Sequence, residues 1–166
     1  MGTGRKIIGF AACILIPLAA GAIGALFTTP AIPVWYAALT KPALTPPAWV
    51  FGPVWTLLYV LMGVALFLVW FSSAKATEGQ ALGDKEKATR VFFVQLILNI
   101  AWSAVFFGAH SPAAALLVIA ALWGAIAAAI NRFAKVSRPA AWLLTPYILW
   151  VTFASYLNLA IYLLNR

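Results

Sequence analysis

Acidic side chains are nearly absent from this sequence. Of its 166 residues only Glu78, Asp84 and Glu86 are acidic, and all three lie in one polar segment between apolar runs. Pumps, proton-coupled carriers and metal transporters normally keep an ionisable side chain within the bilayer. The apolar runs offer no such carboxylate, which argues against these classes, and we expect no metal site.

Cysteine and histidine are equally scarce, with one of each. An intrachain disulfide is therefore excluded, and Cys13, inside an apolar run, is interpreted as a small hydrophobic residue. His110 could ligate a haem iron, but it lies in a short turn between two apolar runs. An axial ligand should project into the core, so an interfacial role is favoured. We expect that no cofactor is required.

Apolar residues, in contrast, make up 65% of the chain, and charged residues only 8%. Five apolar runs approach the roughly 20 residues that an α-helix needs to cross a bilayer. The sequence predicts an all-α integral membrane protein, a single five-transmembrane-helix bundle. The expected helices cover approximately residues 7–27, 47–71, 91–108, 112–131 and 139–164, with an outer lid loop at 28–46 and a cytoplasmic loop at 72–90. A signal peptide is the alternative for the first run, but that run extends to Phe27, beyond the usual length.

The net charge of +8 would suggest nucleic acid in a soluble protein, but here the basic residues flank apolar runs. No nucleic-acid binding is expected, because topology explains the charges. Nine basic residues fall on the side of the N-terminus: Arg5, Lys6, Lys75, Lys85, Lys87, Arg90, Arg132, Lys135 and Arg138. Lys41 and Arg166 fall on the other side. The positive-inside rule predicts a multi-pass protein with a cytoplasmic N-terminus and an extracytoplasmic C-terminus and first loop, in the inner (cell) membrane for a bacterial chain.

Three apolar runs carry aromatic or polar stripes at the three- and four-residue spacing of one helical face. These stripes are Trp55 and Tyr59 in the second run, Asn99 and Trp102 in the third, and Tyr147, Trp150 and Ala154 in the fifth. With a rise of about 1.5 Å per residue, Trp55 and Asn99 lie at similar depths, as do Tyr59 and Trp150. We therefore expect one aromatic box opening outward, with Trp35, Tyr36 and Trp49 closing it from above.

Prolines and small residues affect how these helices pack. Pro17, Pro53 and Pro146 interrupt three of the runs, and three kinked helices favour a cavity. Gly21 and Ala25 in the first run are spaced for close helix contact, as is the series Ala120, Gly124 and Ala128 in the fourth. That contact is either internal or between copies in a homodimer. Asn99 has two interpretations, an interhelical hydrogen bond and a ligand contact.

Three motifs carry a family resemblance: WYAALTKPALTPPAWVFGPVWTLLYVLMG, LNIAWSAVFFG and LLTPYILWVTFASYLNLAIYLLN. In this order they resemble the TspO/translocator protein family, the tryptophan-rich sensory proteins. The resemblance implies a five-helix bundle, often a homodimer, that binds porphyrins and in some members cholesterol or drug-like ligands. Its implied pocket residues are Trp35, Pro47, Trp55, Tyr59, Asn99, Trp102, Trp150 and Ala154, to which the helical face adds Tyr147.

Three functions follow as hypotheses. The first is a receptor or carrier for porphyrins such as protoporphyrin IX or haem-like tetrapyrroles, with sterols or other lipids as further ligands and a role in tetrapyrrole handling or stress sensing. Aromatic stacking must supply its selectivity, because a ligand gains little by moving from apolar lipid tails into an equally apolar pocket. The second, implied by the resemblance alone, is light- and oxygen-dependent porphyrin degradation with Trp55 and Trp150 as catalytic electron donors. The third is a structural or regulatory partner acting through the cytoplasmic loop.

Overall fold

The computed structural model describes residues 3–71 and 78–166, with side chains described for 3–71 and 82–166. The described chain is helical, and no strand occurs within it. Its α-helices are α1 (Thr3–Ala31), α2 (Ala48–Trp70), α3 (Glu78–Ser103), α4 (Pro112–Val136), α5 (Arg138–Leu143) and α6 (Thr145–Leu164). One turn of π-helix extends α1 over Ile32–Tyr36, and another extends α3 over Ala104–Gly108.

Five membrane spans can be built from these helices. Within the described residues, five helical segments are long and apolar enough to cross a bilayer, with α5 and α6 together forming the fifth. The expected five-helix, all-α membrane bundle is thereby confirmed. The fifth span breaks at Leu144, two residues before Pro146, whereas α1 and α2 continue through Pro17 and Pro53. The proline in the fifth span thus has the strongest effect on helix continuity.

The first helix is longer than the hydropathy pattern predicts. It was expected to end at Phe27, but helix continues to Ala38, so that only residues 39–47 of the predicted lid loop are non-helical. The hydroxyl of Thr28 donates to the carbonyl of Gly24 at 3.1 Å, which satisfies this polar group inside the helix. A threonine pair that ends an apolar run therefore does not end the helix.

The third helix begins earlier than predicted, at Glu78 instead of residue 91. This segment is too polar to be recognised by hydropathy, although Arg90 and Glu86 form an ion pair of 2.9 Å at the i, i+4 spacing that supports an exposed helix. The predicted cytoplasmic loop thus contains a helical extension of α3. Residues 72–77 of that loop lie outside the described residues.

The helices form a closed ring in the order α1, α2, α5 with α6, α4, α3, and back to α1. Buried apolar side chains of all five spans fill its centre, including Met62, Phe92 and Leu122. The backbones of α1 and α2 lie close together at Gly63, where an added Cβ would lie 2.7 Å from the Cys13 carbonyl oxygen and the Ile14 Cα. Only glycine allows the two backbones to approach this closely.

Candidate functional site

A cavity of about 510 Å³ opens among α1, α2 and α3. It lies toward the end of the bundle that carries the loop 39–47, which we call the loop end. Ligand pockets in proteins typically measure about 300–1,000 Å³ and combine an apolar lining with few polar groups. The lining residues from α2 and α3 are Ala48, Trp49, Phe51, Gly52, Trp55, Thr56, Tyr59, Trp102, Ser103 and Phe107.

Aromatic rings form one wall of this cavity. The rings of Trp55 and Tyr59 stack with centroids 5.6 Å apart and planes 29° apart. Trp102 lines the cavity from α3 and stacks on the buried ring of Phe106 at 5.4 Å. Their ring faces provide stacking surface for a flat aromatic molecule.

Residues of α1 and its extension, half of them glycine or alanine, form another wall, which sequence reasoning did not assign to the site. These lining residues are Leu18, Gly21, Ala22, Gly24, Ala25, Thr28, Thr29 and Ile32. Gly21 and Ala25 did stand out by their spacing, but that spacing was interpreted as helix contact. Both interpretations hold at Gly21, because a Cβ there would overlap the ring of Tyr59 while the residue also borders the cavity.

A chain of buried hydrogen bonds leads from the cavity into the core. The Tyr59 hydroxyl donates to Asn99 Oδ1 at 2.7 Å, and Asn99 Nδ2 donates to the Tyr147 oxygen at 3.1 Å. The Tyr147 hydroxyl donates to Gln95 Oε1 at 2.9 Å, and Gln95 Nε2 donates to Met62 Sδ at 3.7 Å. Because Asn99 is 2% exposed and both ends of its amide are bonded, its interhelical interpretation is confirmed.

A second polar contact holds Trp102 in place. Its indole Nε1 donates to Asn158 Oδ1 at 3.1 Å, and Asn158 Nδ2 donates to the Pro112 carbonyl at 2.9 Å. One buried amide on α6 therefore links the cavity wall on α3 to the first residue of α4. The contact fixes the ring orientation of Trp102.

Trp150 lies outside this cavity, which corrects the prediction of a single aromatic box. It lines a separate open groove of about 470 Å³ between α2 and α6, together with Val54, Leu57, Leu58, Pro146, Leu149 and Phe153. Tyr147 points into the core and meets Trp55 edge to face at 6.2 Å. Residues three apart on a helix diverge by about 60°, so Tyr147 and Trp150 can lie on either side of a neighbouring helix. Trp55 of α2 and Trp150 of α6 thus line different hollows.

The remaining predicted site residues are also outside the cavity lining. Trp35 points away from it and stacks on His110, with centroids 4.6 Å apart and planes 15° apart. Pro47 immediately precedes α2, and Ala154 is buried in the core. Of the three residues expected to close the site from above, Tyr36 and Trp49 do line it.

His110 is exposed in the turn before α4, with a φ of 52°, which agrees with its interfacial interpretation. Among the described residues, no group of three or more His, Cys, Asp or Glu side chains could hold a metal ion.

The loop at the mouth is tied to the end of the chain. Asn165 Oδ1 accepts from the Thr40 backbone N–H, and its Nδ2 donates to the Thr40 carbonyl, both at 2.9 Å. Lys41 Nζ donates to the carbonyls of Ala37 and Leu39 at 3.1 Å and lies 4.9 Å from the ring centre of Tyr36. We call the contact between Asn165 and Thr40 the loop clasp.

The fold and this site define a multi-pass helical membrane protein with an aromatic cavity at one end of its bundle. The comparisons with known proteins specify the group further. The TspO/MBR family matches residues 13–164, and the chain belongs to that family.

Two relatives match nearly the whole chain and a third matches about three quarters of it. It is 44% identical over 161 residues to the tryptophan-rich protein TspO of Chlorobaculum tepidum, covering 97% of this chain and 98% of that protein. It is 45% identical over 160 residues to the tryptophan-rich protein TspO of Archaeoglobus fulgidus, covering 96% and 99%. The human translocator protein is 40% identical over 128 residues, covering 77% of this chain and 73% of the human protein.

Proposed function

We propose that this protein is a membrane receptor or carrier that binds porphyrins, or similar planar apolar molecules, in the cavity among α1, α2 and α3. The observation that carries the proposal is the stacked pair Trp55 and Tyr59 facing a hollow of about 510 Å³, with Trp102 on its third side. The resemblance noted in the sequence and the names of the relatives, translocator and sensory protein, agree with such a role.

Stacking would give the cavity its preference for flat rings. A ligand already dissolved in lipid gains little from transfer into another apolar environment. An aromatic contact adds about 0.5–1.5 kcal/mol beyond burial, so two or three indole and phenol rings favour a conjugated ring over an aliphatic one by several kcal/mol. Sterols and other lipids, which cannot stack in this way, would bind more weakly.

The charged groups of a tetrapyrrole would stay near the mouth. An unpaired carboxylate is costly to bury in the membrane. Lys41, at the rim beside Tyr36, is the cation that the described loop 39–47 offers. We expect the propionates of a bound porphyrin to lie on this side, with the ring between α1 and α2.

The site contains no arrangement that favours an enzyme. Trp55 and Trp150, the two residues considered for photo-oxidation, lie in different hollows on either side of α2. A ligand filling the cavity would not contact both, so we propose binding and no reaction. We do not propose a partner acting on the loop at 72–90, of which residues 72–77 lie outside the described part of the chain.

The arrangement in the membrane is part of the proposal. The distribution of basic residues supports a cytoplasmic N-terminus and a loop end outside the cell membrane. A homodimer is supported by Ala120 and Gly124 of α4, which are exposed on the outer face of the bundle. Among the described residues beyond the neighbouring turns of α4, no heavy atom lies within 4 Å of a Cβ added at Gly124, so a second helix could approach there.

The binding proposal is tested with protoporphyrin IX and detergent-solubilised protein, by following porphyrin absorbance. The double variant Trp55→Leu, Trp102→Leu removes two cavity rings and should weaken binding by at least tenfold. Trp142→Leu is the matched control, because Trp142 is 73% exposed and outside the cavity. Equal affinities for all three proteins would contradict the proposal.

A further inference from the structure

The hydrogen-bond chain beneath the cavity has a direction, which is fixed at its inner end. The thioether Met62 Sδ carries no hydrogen, so Gln95 Nε2 is the donor in their contact of 3.7 Å. If the Gln95 amide were turned over, its carbonyl oxygen would face the sulfur with no hydrogen between them. Two acceptors in contact inside the core would be unfavourable.

Each further bond follows from this choice. With its nitrogen on Met62, Gln95 presents Oε1 to Tyr147, which must donate to it at 2.9 Å. The Tyr147 oxygen then accepts from Asn99 Nδ2 at 3.1 Å. Asn99 is left with Oδ1 toward Tyr59, whose hydroxyl must donate at 2.7 Å.

Of the five residues in this hydrogen-bond chain, Tyr59 is the one that lines the cavity. Its single hydroxyl hydrogen is committed to Asn99, so its oxygen has only lone pairs left to offer. Within the described residues, no hydrogen bond is donated to that oxygen. The inner members of the chain, Asn99, Tyr147, Gln95 and Met62, are each at most 2% exposed.

We propose that the Tyr59 oxygen is a hydrogen-bond acceptor for the ligand. The cavity therefore selects planar apolar molecules that carry an N–H or O–H donor over molecules of the same shape that lack one. The inference rests on the proposed function, since it assumes that flat apolar ligands enter this cavity. It adds a specificity-determining atom, which stacking alone does not supply.

The surrounding membrane strengthens this preference. A ligand N–H in hydrocarbon has no partner, so a bond formed in the cavity is not exchanged for one to water. A net gain like that of an ordinary protein hydrogen bond corresponds to about threefold to tenfold in affinity. A ligand that brings only an acceptor gains nothing at Tyr59.

Carbazole and fluorene make a suitable probe pair. They share one planar tricyclic shape, but carbazole has an N–H where fluorene has a CH₂ group. Their dissociation constants are measured by fluorescence with the full chain in detergent. For the wild type we expect carbazole to bind about threefold to tenfold more tightly.

The variant Tyr59→Phe keeps the ring and removes the oxygen, so the ratio of the two affinities should fall to about one while fluorene affinity changes little. Tyr36→Phe is the matched control, because Tyr36 also lines the cavity and is also nearly buried. Its hydroxyl group does not belong to the hydrogen-bond chain of Tyr59. Its ratio should remain that of the wild type. A ratio unchanged by Tyr59→Phe, or lost with Tyr36→Phe, would overturn the proposal.

Met62→Leu tests the origin of the direction without touching the cavity lining. Removing the sulfur lets the hydrogen-bond chain run in either direction. In the reversed direction Asn99 donates to the Tyr59 oxygen and leaves it one fewer lone pair for the ligand, so the affinity ratio should fall part of the way toward one with fluorene affinity intact. A full wild-type ratio in this variant would contradict the assignment of Met62 as the group that fixes the direction. If neither probe binds to the wild type, the proposed function itself fails; if both bind equally, only the present inference fails.

Discussion

Helix α2 separates two hollows that contain similar residues but differ in chemistry. The cavity toward α1 is lined by stacked rings, small residues and a hydrogen-bonded tyrosine. The groove toward α6 is more open and is lined by seven apolar or aromatic residues, including Trp150. The indole Nε1 of Trp150 is buried and has no hydrogen-bond partner among the described residues.

This difference teaches that a tryptophan alone does not make a binding site. In the cavity, the neighbouring groups are held by bonds that fix ring positions, as Asn158 does for Trp102. Trp150, in the groove, is positioned by packing against Phe153 and against Phe51, which also lines the cavity. We expect specific ligand binding in the first hollow and loosely held lipid in the second.

Filling the cavity, but not the groove, with a tryptophan side chain should have the largest effect on porphyrin binding. Ala25→Trp places an indole against the cavity, and Leu149→Trp places one against the groove. Overpacking of this kind costs about 1–3 kcal/mol, so Ala25→Trp should weaken protoporphyrin IX binding by roughly fivefold to 150-fold. Leu149→Trp should leave it unchanged in the same absorbance titration. The reverse order of effects would place the ligand in the groove.

The position of α2, the helix between the two hollows, depends on its close approach to α1 at Gly63. Gly63→Ala would press a methyl group against the backbone of α1, so α1 and α2 must separate, at a cost of about 1–3 kcal/mol. We expect a lower midpoint for thermal unfolding in detergent. Gly52→Ala in the same helix is the control, since a Cβ added there has no neighbouring atom within 4 Å beyond its own helix among the described residues. Equal midpoints for the two variants would disprove the tight crossing.

Single tryptophan changes compare the two hollows directly. Trp55→Leu removes a ring from the cavity, and Trp150→Leu removes one from the groove. Losing one aromatic contact of about 0.5–1.5 kcal/mol should weaken porphyrin binding by roughly twofold to tenfold for Trp55→Leu. Trp150→Leu should retain wild-type affinity by the same titration. A matched loss in both variants would indicate one continuous site.

Removing the loop clasp should have the smallest effect on porphyrin binding. Asn165→Ala removes both hydrogen bonds to Thr40 and loosens the loop at the cavity mouth. We expect the association and dissociation rates of protoporphyrin IX to rise about twofold to fivefold, as for a gate weakened by one or two hydrogen bonds. Stopped-flow fluorescence measures both rates. Unchanged rates would mean that ligands enter elsewhere, for example between helices from the bilayer.

The sequence was sufficient for the number of spans, because each apolar run has the length that a bilayer requires. It was also sufficient to place Trp55, Tyr59 and Trp102 in one cavity, since their spacing puts them on facing stripes. The sequence was not sufficient to place Trp150 in the groove. Its position relative to α2 depends on the helix break before Pro146 and on the angle of about 60° between the side-chain directions of Tyr147 and Trp150. The α1 wall was missed because glycine and alanine give no chemical pattern.

The four smallest residues of the α1 wall, Gly21, Ala22, Gly24 and Ala25, have an evolutionary consequence. Their short side chains leave the hollow open, whereas stacking is provided by α2 and α3. A change of side-chain size at Ala22 or Ala25 would resize the space and leave the aromatic surface intact, whereas a Cβ at Gly21 would displace the Tyr59 ring. Proteins that descend from a common ancestor could thereby change the size of ligand that they bind and keep the preference for planar ligands.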